Sequence, residues 1–376
     1  METIVVAGAL ANKPGNGGEA WVRMSWVEGF RRLGFDVVFV EQVARERTPA
    51  SAVDYFERTV AEFGLRGAAA LLDETGAAVT GLSPKETRER VGEAAALVNI
   101  SGNIAVAELL ATARRRVYVD LDPGFTQIWT AQGSDAARLA GHDAYFTVGE
   151  NIGSPDCSIP TLGIVWRPLP PPVVLDRWPV VAAQPSAPFT TVTTWRNPFG
   201  TVEHEGVTFP MKHHEWRRIV ELPRRIPQEV ELALQIHPED HADREALLRH
   251  GWRLRDPGEV AGDPESFRRY VHRSAGELSV ANGIYVHTHS GWFSDRSVRY
   301  LASGKPVLLQ DTGFSRGYPT DEGLVSFRTL EDAVRGAESI AADPEGHARA
   351  ARSLAEERFD SDRVLGRLVE DLGIGP

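Results

Sequence analysis

The sequence predicts an α/β protein built of two doubly wound halves, and three observations predict it. Residues 3–9 (TIVVAGA) are a short apolar run suited to a buried strand, followed by a Gly-rich loop, a helical pattern and a second apolar run at 37–40. A second series of apolar runs alternating with helical patterns begins at residue 189. Between the two, nine prolines from Pro155 to Pro188 deny the chain a continuous helix or a central strand.

The elements follow in order. After the first strand, the loop at residues 10–20 contains Gly15, Gly17 and Gly18, and Trp21, Met24, Ser25, Val27, Phe30 and Leu33 then recur at helical spacing until Gly34. Further strands are expected at 96–100, 117–119 and 144–148. In the second half they are expected at 189–192, 230–234, 252–254, 284–286, 307–309 and 324–327, with helical stretches between. Residues 342–372 have helical periodicity to the end of the series. The expected division is an N-terminal Rossmann-like domain at 1–165, a Pro-rich linker at 166–188, a C-terminal Rossmann-like domain at 189–350 and a closing helix at 351–376.

Composition narrows the function. At 376 residues the chain exceeds one ordinary core, and 42% hydrophobic with 25% charged residues is typical of a globular protein. No apolar run approaches the roughly 20 residues that cross a bilayer, and the start METIVVAGAL lacks the basic region of a signal peptide. A cytoplasmic location is expected. The single cysteine, Cys157, excludes an internal disulfide and any multi-cysteine metal site. A net charge of −11 argues against broad nucleic-acid binding but leaves room for a local phosphate pocket.

Residues 291–313 (GWFSDRSVRYLASGKPVLLQDTG) carry the most information. Ser294, Asp295 and Ser297 can each open a helix, Val298, Leu301 and Ala302 give it an apolar face, and Gly304 and Pro306 stop it. Free N–H groups and the helix dipole make such a start a site for anions, here a diphosphate. Arg296 in the first turn opposes the dipole, which an anion or Asp295 would offset. Asp311, Thr312 and Gly313 follow the next apolar run.

This order of elements resembles the donor-binding half of GT-B glycosyltransferases. The phrases GFDVVFVEQV, VYVDLDPGFTQIW, FTVGENIG, TTVTTWRN, ELSVANGIYVHTHSGWFSDRSVRYLASGKPVLLQDTGF and SLAEERFDSDRVL are similar to those of a little-characterised bacterial family of predicted glycosyltransferases. The resemblance implies GT-B architecture, with two Rossmann-like domains facing a cleft and the C-terminal helix crossing back to the first. It implies a nucleoside-diphosphate sugar as donor substrate, no separate cofactor and no metal. Diphosphate contacts would come from Gly17, Gly18, Thr194, Arg196, Lys212, Ser294, Asp295, Arg296 and Ser297. The base or ribose would meet His237, Arg255, Asp256 and Pro257, and the donor sugar His289, Asp311, Thr312 and Gly313. His287 is expected to pack inside its strand.

An inverting reaction needs a base. Asp120 and Asp122 stand at a strand end, pointing the same way in extended chain, where two close carboxylates can raise one pKa; a capped turn beside Pro123 is the other reading. His142 and Glu150 are further candidates. One departure stands out: where many retaining relatives carry a Glu before the Ala-x-Gly-x-Pro turn, this chain has Arg299. The expected activity is transfer of a hexosyl or deoxysugar group to a small hydroxylated acceptor, such as a natural product. A sugar-nucleotide epimerase of the same fold and a catalytically silent sugar-nucleotide binder are the alternatives. Donor base, stereochemistry and oligomeric state are not legible.

Overall fold

A computed structural model describes residues 1–376 apart from Pro185, Pro198 and Pro376. The chain divides into two units. Unit 1 comprises Met1–Gly149, Thr161–Val174 and the residues from Asp360 on; unit 2 comprises Glu150–Pro160 and Leu175–Phe359. The Pro-rich stretch 166–188 thus divides at residue 174, and its Pro185 lies outside the described residues.

Unit 1 is built on eight described strands: β1 (Thr3–Ala7), β2 (Asp36–Gln42), β3 (Ala69–Leu72), β4 (Ala78–Gly81), β5 (Ala96–Ile100), β6 (Arg116–Asp120), β7 (Ala144–Thr147) and β8 (Trp166–Pro168). Their order is β4-β3-β2-β1-β5-β6-β7-β8. All pairings are parallel except β3 with β4, so the sheet's direction of winding reverses between β1 and β5. Ile4, Val5, Val6 and Ala7 are all buried, as a strand covered on both faces requires. β8 ends in Pro168 and lies at the sheet edge, where a missing N–H costs no ladder bond.

The last helix, Ser361–Leu372, belongs to unit 1 and lies against the first, Gly17–Arg32. Gly29 makes this approach possible: a Cβ there would stand 2.5 Å from Leu365 Cδ1 and 3.0 Å from Ser361 Cβ. Arg32 donates to both carboxylate oxygens of Asp362 at 2.8 and 2.9 Å on the rim. Gly29→Val is therefore expected to destabilise the protein by about 1–3 kcal/mol through overpacking, measured by urea denaturation. An unchanged midpoint would show that the helices separate without cost.

Unit 2 has strands β9 (Phe189–Thr194), β10 (Val202–His204), β11 (Val207–Phe209), β12 (Val230–Gln235), β13 (Arg253–Arg255), β14 (Gly276–Ser279), β15 (Val307–Gln310) and β16 (Leu324–Phe327). Six form a parallel sheet ordered β13-β12-β9-β14-β15-β16, and β10 with β11 form a separate hairpin. The winding reverses between β9 and β14. Its core includes Phe189, Trp195, Trp216, Leu232, Trp252, Leu278 and Leu308.

One expected strand is a helix. Residues 284–286 lie in the short helix Gly283–His287, and the strand before it is β14 instead. Ile-Tyr-Val favours extended chain locally, but Gly-Glu-Leu-Ser reaches the gap beside β9 and takes the pairing. His287 is consequently exposed rather than packed within a strand, with its Nε2 3.3 Å from Glu215 Oε1. Among the described residues, no helix is long and apolar enough to cross a membrane.

Candidate functional site

Open parallel sheets place ligands at the carboxyl ends of their strands where the winding reverses. In unit 2 that position is filled by the ends of β9 and β14 and by the helix Asp295–Ala302. Ser279, Val280, Ala281, Trp292, Phe293, Ser294, Arg296, Ser297, Leu309, Gln310, Thr312 and Phe314 line a shallow depression there. Four hydroxyl side chains thus share a wall with the start of a helix.

Ser294 occupies the N-cap position, yet its side chain makes no capping bond. Ser297 is fully buried, and its Oγ has no hydrogen-bond partner among the described residues. A buried hydroxyl left unmade is uncommon and asks for an acceptor. Thr312 donates to Trp292 O at 2.6 Å, fixing the loop that closes the depression.

Arg296 does not offer its charge outward as the sequence suggested. Its Nε donates to Glu277 of β14, Nη1 to Val192 O of β9 at 3.1 Å and Nη2 to Ser279 Oγ at 2.8 Å. Burial would favour loss of the proton, but the Glu277 carboxylate outweighs it and raises the Arg296 pKa further. The side chain is a strut across the reversal point, tying β9, β14 and the helix together. Glu277 is fully buried, also accepts from Thr191 Oγ1 at 3.1 Å, and leaves Oε2 without a partner. Asp295 is half-buried at the helix start, and its carbonyl accepts from Arg299. Arg299 itself is buried, 5.9 Å from the Trp178 ring centroid.

Asp311 is likewise committed to partners within unit 2. Its Oδ1 accepts from Gly313 N at 2.8 Å, and Oδ2 from Ser315 Oγ at 2.8 Å and Arg328 Nη2 at 2.7 Å. Burial would raise this carboxyl, but those donors hold it below the usual range. These contacts cap its own loop. Gly313 lies at φ 94° and His289 at φ 52°, and Asn151 Nδ2 donates to both of their carbonyls, at 3.0 and 2.9 Å. His289 stays exposed.

Arg196 follows β9 with half its side chain exposed and is held by Asp240 in a two-pronged pair, Nε to Oδ2 at 2.9 Å. That pairing lowers the Asp240 pKa. Thr194 ends β9, and Lys212 opens the helix Lys212–Arg218, both half-buried. His213, next to Lys212, is buried among positive neighbours; burial first and then His214 push it down to about 4. Of the proposed base-binding residues, His237 lies beside the Arg196–Asp240 pair: Asp240 N donates to His237 O at 2.9 Å, and β12 runs next to β9. His237 is exposed and takes Glu239 N at 3.3 Å. Arg255 is exposed at the end of β13, while Asp256 caps Gly258 N at 2.7 Å and Pro257 starts a short helix. β13 lies two strands from β9, and the helix Pro257–Ala261 comes against both β12 and β9.

In unit 1, Asp120 is a correction. It is fully buried, and its oxygens accept from Asp122 N (3.1 Å), Thr126 Oγ1 (2.7 Å), Gln127 Nε2 (2.8 Å) and Thr147 Oγ1 (2.8 Å). Burial raises its pKa against those donors. This is a clamp between β6, β7 and the following helix, with no oxygen left for an external hydroxyl. His142 is likewise enclosed, its ring nitrogens 3.0 Å from Asn99 Nδ2 and 3.1 Å from Leu139 O. Glu150 sits in unit 2, bonded to Tyr318, and burial raises it. Asp122 remains half-buried at the strand end. Gly17 and Gly18 open a 16-residue helix whose cap, Asn16 Oδ1, takes Glu19 N at 3.1 Å.

Sequence reasoning missed Glu41, Asn151 and Glu277. Glu41, next to last in β2, is fully buried and accepts from Leu10 N, Ala11 N and Asn12 N, each at 2.8 Å, and from Asn12 Nδ2 at 3.0 Å. Burial pushes its carboxyl up to about 7 against these donors. A carboxylate inside an otherwise apolar strand, as in VVFVEQ and GELS, was the available signal, since a buried charge requires partners.

No family model and no curated protein matches the sequence. Solved structures do match. Over 99% of its length the chain is similar to an alpha-glucosyltransferase in complex with UDP (10% identity, all of that chain, TM-score 0.60). It is similar to the same extent to Anabaena Alr3699/HepE in complex with UDP and glucose (11%, all of that chain, 0.61). A sucrose-phosphate synthase from Thermosynechococcus elongatus matches at 12% identity over 99% of both chains, with a TM-score of 0.55. Identities this low establish the fold: the chain has the GT-B glycosyltransferase fold, with two Rossmann-like units.

Proposed function

We propose that the protein is a glycosyltransferase that moves a sugar from a nucleoside-diphosphate sugar to a small hydroxylated acceptor. Unit 2 takes the donor and unit 1 the acceptor. The observation that carries this reading is the start of the helix Asp295–Ala302: at the winding reversal, its amides stand beside Ser294 and the unpartnered hydroxyl of Ser297. Similar structures hold UDP, which is the class of ligand such a turn suits. Because Glu277 matches Arg296 and Asp240 matches Arg196, the diphosphate is bound mainly by neutral donors and the helix dipole. In this reading those groups stabilise the departing diphosphate in the role a metal fills elsewhere. Another structure of the alpha-glucosyltransferase contains UDP and a 13-mer DNA. The net charge of −11 here favours a small acceptor over nucleic acid.

Calorimetry with UDP, GDP and TDP tests the donor site directly. Ser294→Asp keeps a capping residue but places a negative charge where the phosphates belong. Diphosphate affinity is expected to fall by about 10- to 100-fold, a loss of about 1.4–2.8 kcal/mol, in a variant that thermal melting shows to be folded. Equal affinity in parent and variant would remove this turn from the donor site. Binding without any turnover of the sugar nucleotide would identify a silent binder.

A further inference from the structure

We propose that Glu19 is the group of unit 1 that receives the acceptor's hydroxyl hydrogen and that Arg23 is its positioning residue; this rests on the glycosyltransferase reading above. The winding of the first sheet reverses between β1 and β5. The loop leaving β1 is fixed there by Glu41, and the helix Gly17–Arg32 starts beyond it. Glu19 lies in the first turn with 32% of its side chain exposed, and Arg23, one turn later with 7% exposed, donates to its Oε2.

The pair is unusual for its spacing. An i,i+4 ion pair on a solvated face adds only about 0.2–0.5 kcal/mol to a helix, so helix support does not account for burying a guanidinium. The surroundings are shaped to bury it. A Cβ on Gly8, the residue after β1, would stand 2.6 Å from Arg23 Cγ, so glycine is needed for the arginine stem to lie over the strand end. Arg23 Nε is buried with no hydrogen-bond partner among the described residues, and the charge of Arg23 also acts on the buried Glu41 carboxylate. Held over the strand end between Glu41 and Glu19, Arg23 fixes Glu19 at the carboxyl edge of the sheet.

The chemistry of the group defines the acceptor class. An ionised carboxylate only accepts hydrogen bonds, and Glu41 lies in the same part of the unit. Arg23 balances the charge of Glu19, so such a site takes a neutral hydroxyl compound. In transfer, the hydroxyl oxygen bonds the anomeric carbon while the carbon–oxygen bond to phosphate breaks and its electron pair leaves with the diphosphate. The hydroxyl proton passes to Glu19 and then to water.

The test uses the full chain with UDP-, GDP- and TDP-glucose as donors and glycerol or 4-nitrophenol as acceptor. Glu19→Gln should lower kcat by about 100-fold or more and remove the acid limb of the kcat/KM pH profile, while UDP, GDP or TDP affinity by calorimetry stays within about twofold. Arg23→Met, checked by thermal melting, should give an intermediate loss in kcat. A Gln variant that retains its rate, or that loses nucleotide affinity as much as rate, overturns the assignment. A parent protein that binds a nucleoside diphosphate but transfers nothing overturns it too and leaves the donor site standing. A parent that binds none of the three overturns the glycosyltransferase reading itself.

Discussion

Arg296→Met is expected to lower the free energy of unfolding by about 3–5 kcal/mol, the cost of leaving a buried charge without its partner. The physical reason is the position of Glu277. It is fully buried in β14, one oxygen already lacks a partner, and Arg296 is the cation beside the other. Removing the guanidinium also frees Val192 O and Ser279 Oγ, so the helix start loses its ties to both strands of the reversal point. The paired variant Arg296→Met/Glu277→Leu should recover most of the loss, since apolar replacement of a whole buried pair is commonly near neutral. Urea denaturation of the two single variants and the double variant gives the coupling directly. A single variant as stable as the parent would show that the pair is solvated and does not hold the turn. Because the double variant restores the fold without the charge, its UDP affinity also measures how much Arg296 contributes to binding.

Glu41→Ala is the second large effect. Three backbone N–H groups, of Leu10, Ala11 and Asn12, lose their acceptor at once, and the first two residues are buried. At about 1–3 kcal/mol for each buried donor left unmade, the loss should reach about 3–5 kcal/mol. Glu41→Gln keeps an acceptor oxygen but turns an amide toward N–H donors, so it should lie between parent and Ala. Hydrogen exchange of the three amides is the specific readout. If they remain protected in the Ala variant, water or another group supplies the missing acceptor and the loop does not depend on Glu41.

The fold was legible where local signals agree. Residues 3–7 and 36–42, the helix between them, and the Gly304–Pro306 stop before β15 all follow from apolar runs, caps and turn residues. Short or mixed runs were not. Ala69–Leu72 is four apolar residues of weak β preference, and β14 hides a Glu among its four residues. Ile284–Val286 looked more like a strand than the segment that displaced it. The candidate site divides in the same way. The helix start at Ser294 could be read from its capping residues, whereas the partner of Arg296 lies 19 positions away on another element and could only be seen folded. Asp120 and Asp311 were identified by their place at strand ends. Which of their oxygens remained available depended on Thr147 and Arg328, which sequence distance conceals.

Unit 1 is assembled from three separate lengths of chain, and the last of these arrives only after all of unit 2 has been synthesised. As the ribosome delivers the chain, the sheet of β1 to β7 is available early, but the face of its first helix around Gly29 waits for Leu365. The earliest portion to be made is therefore the last to be completed. During that interval its bare apolar surface is open to wrong partners, and chaperone dependence should concentrate there rather than in unit 2.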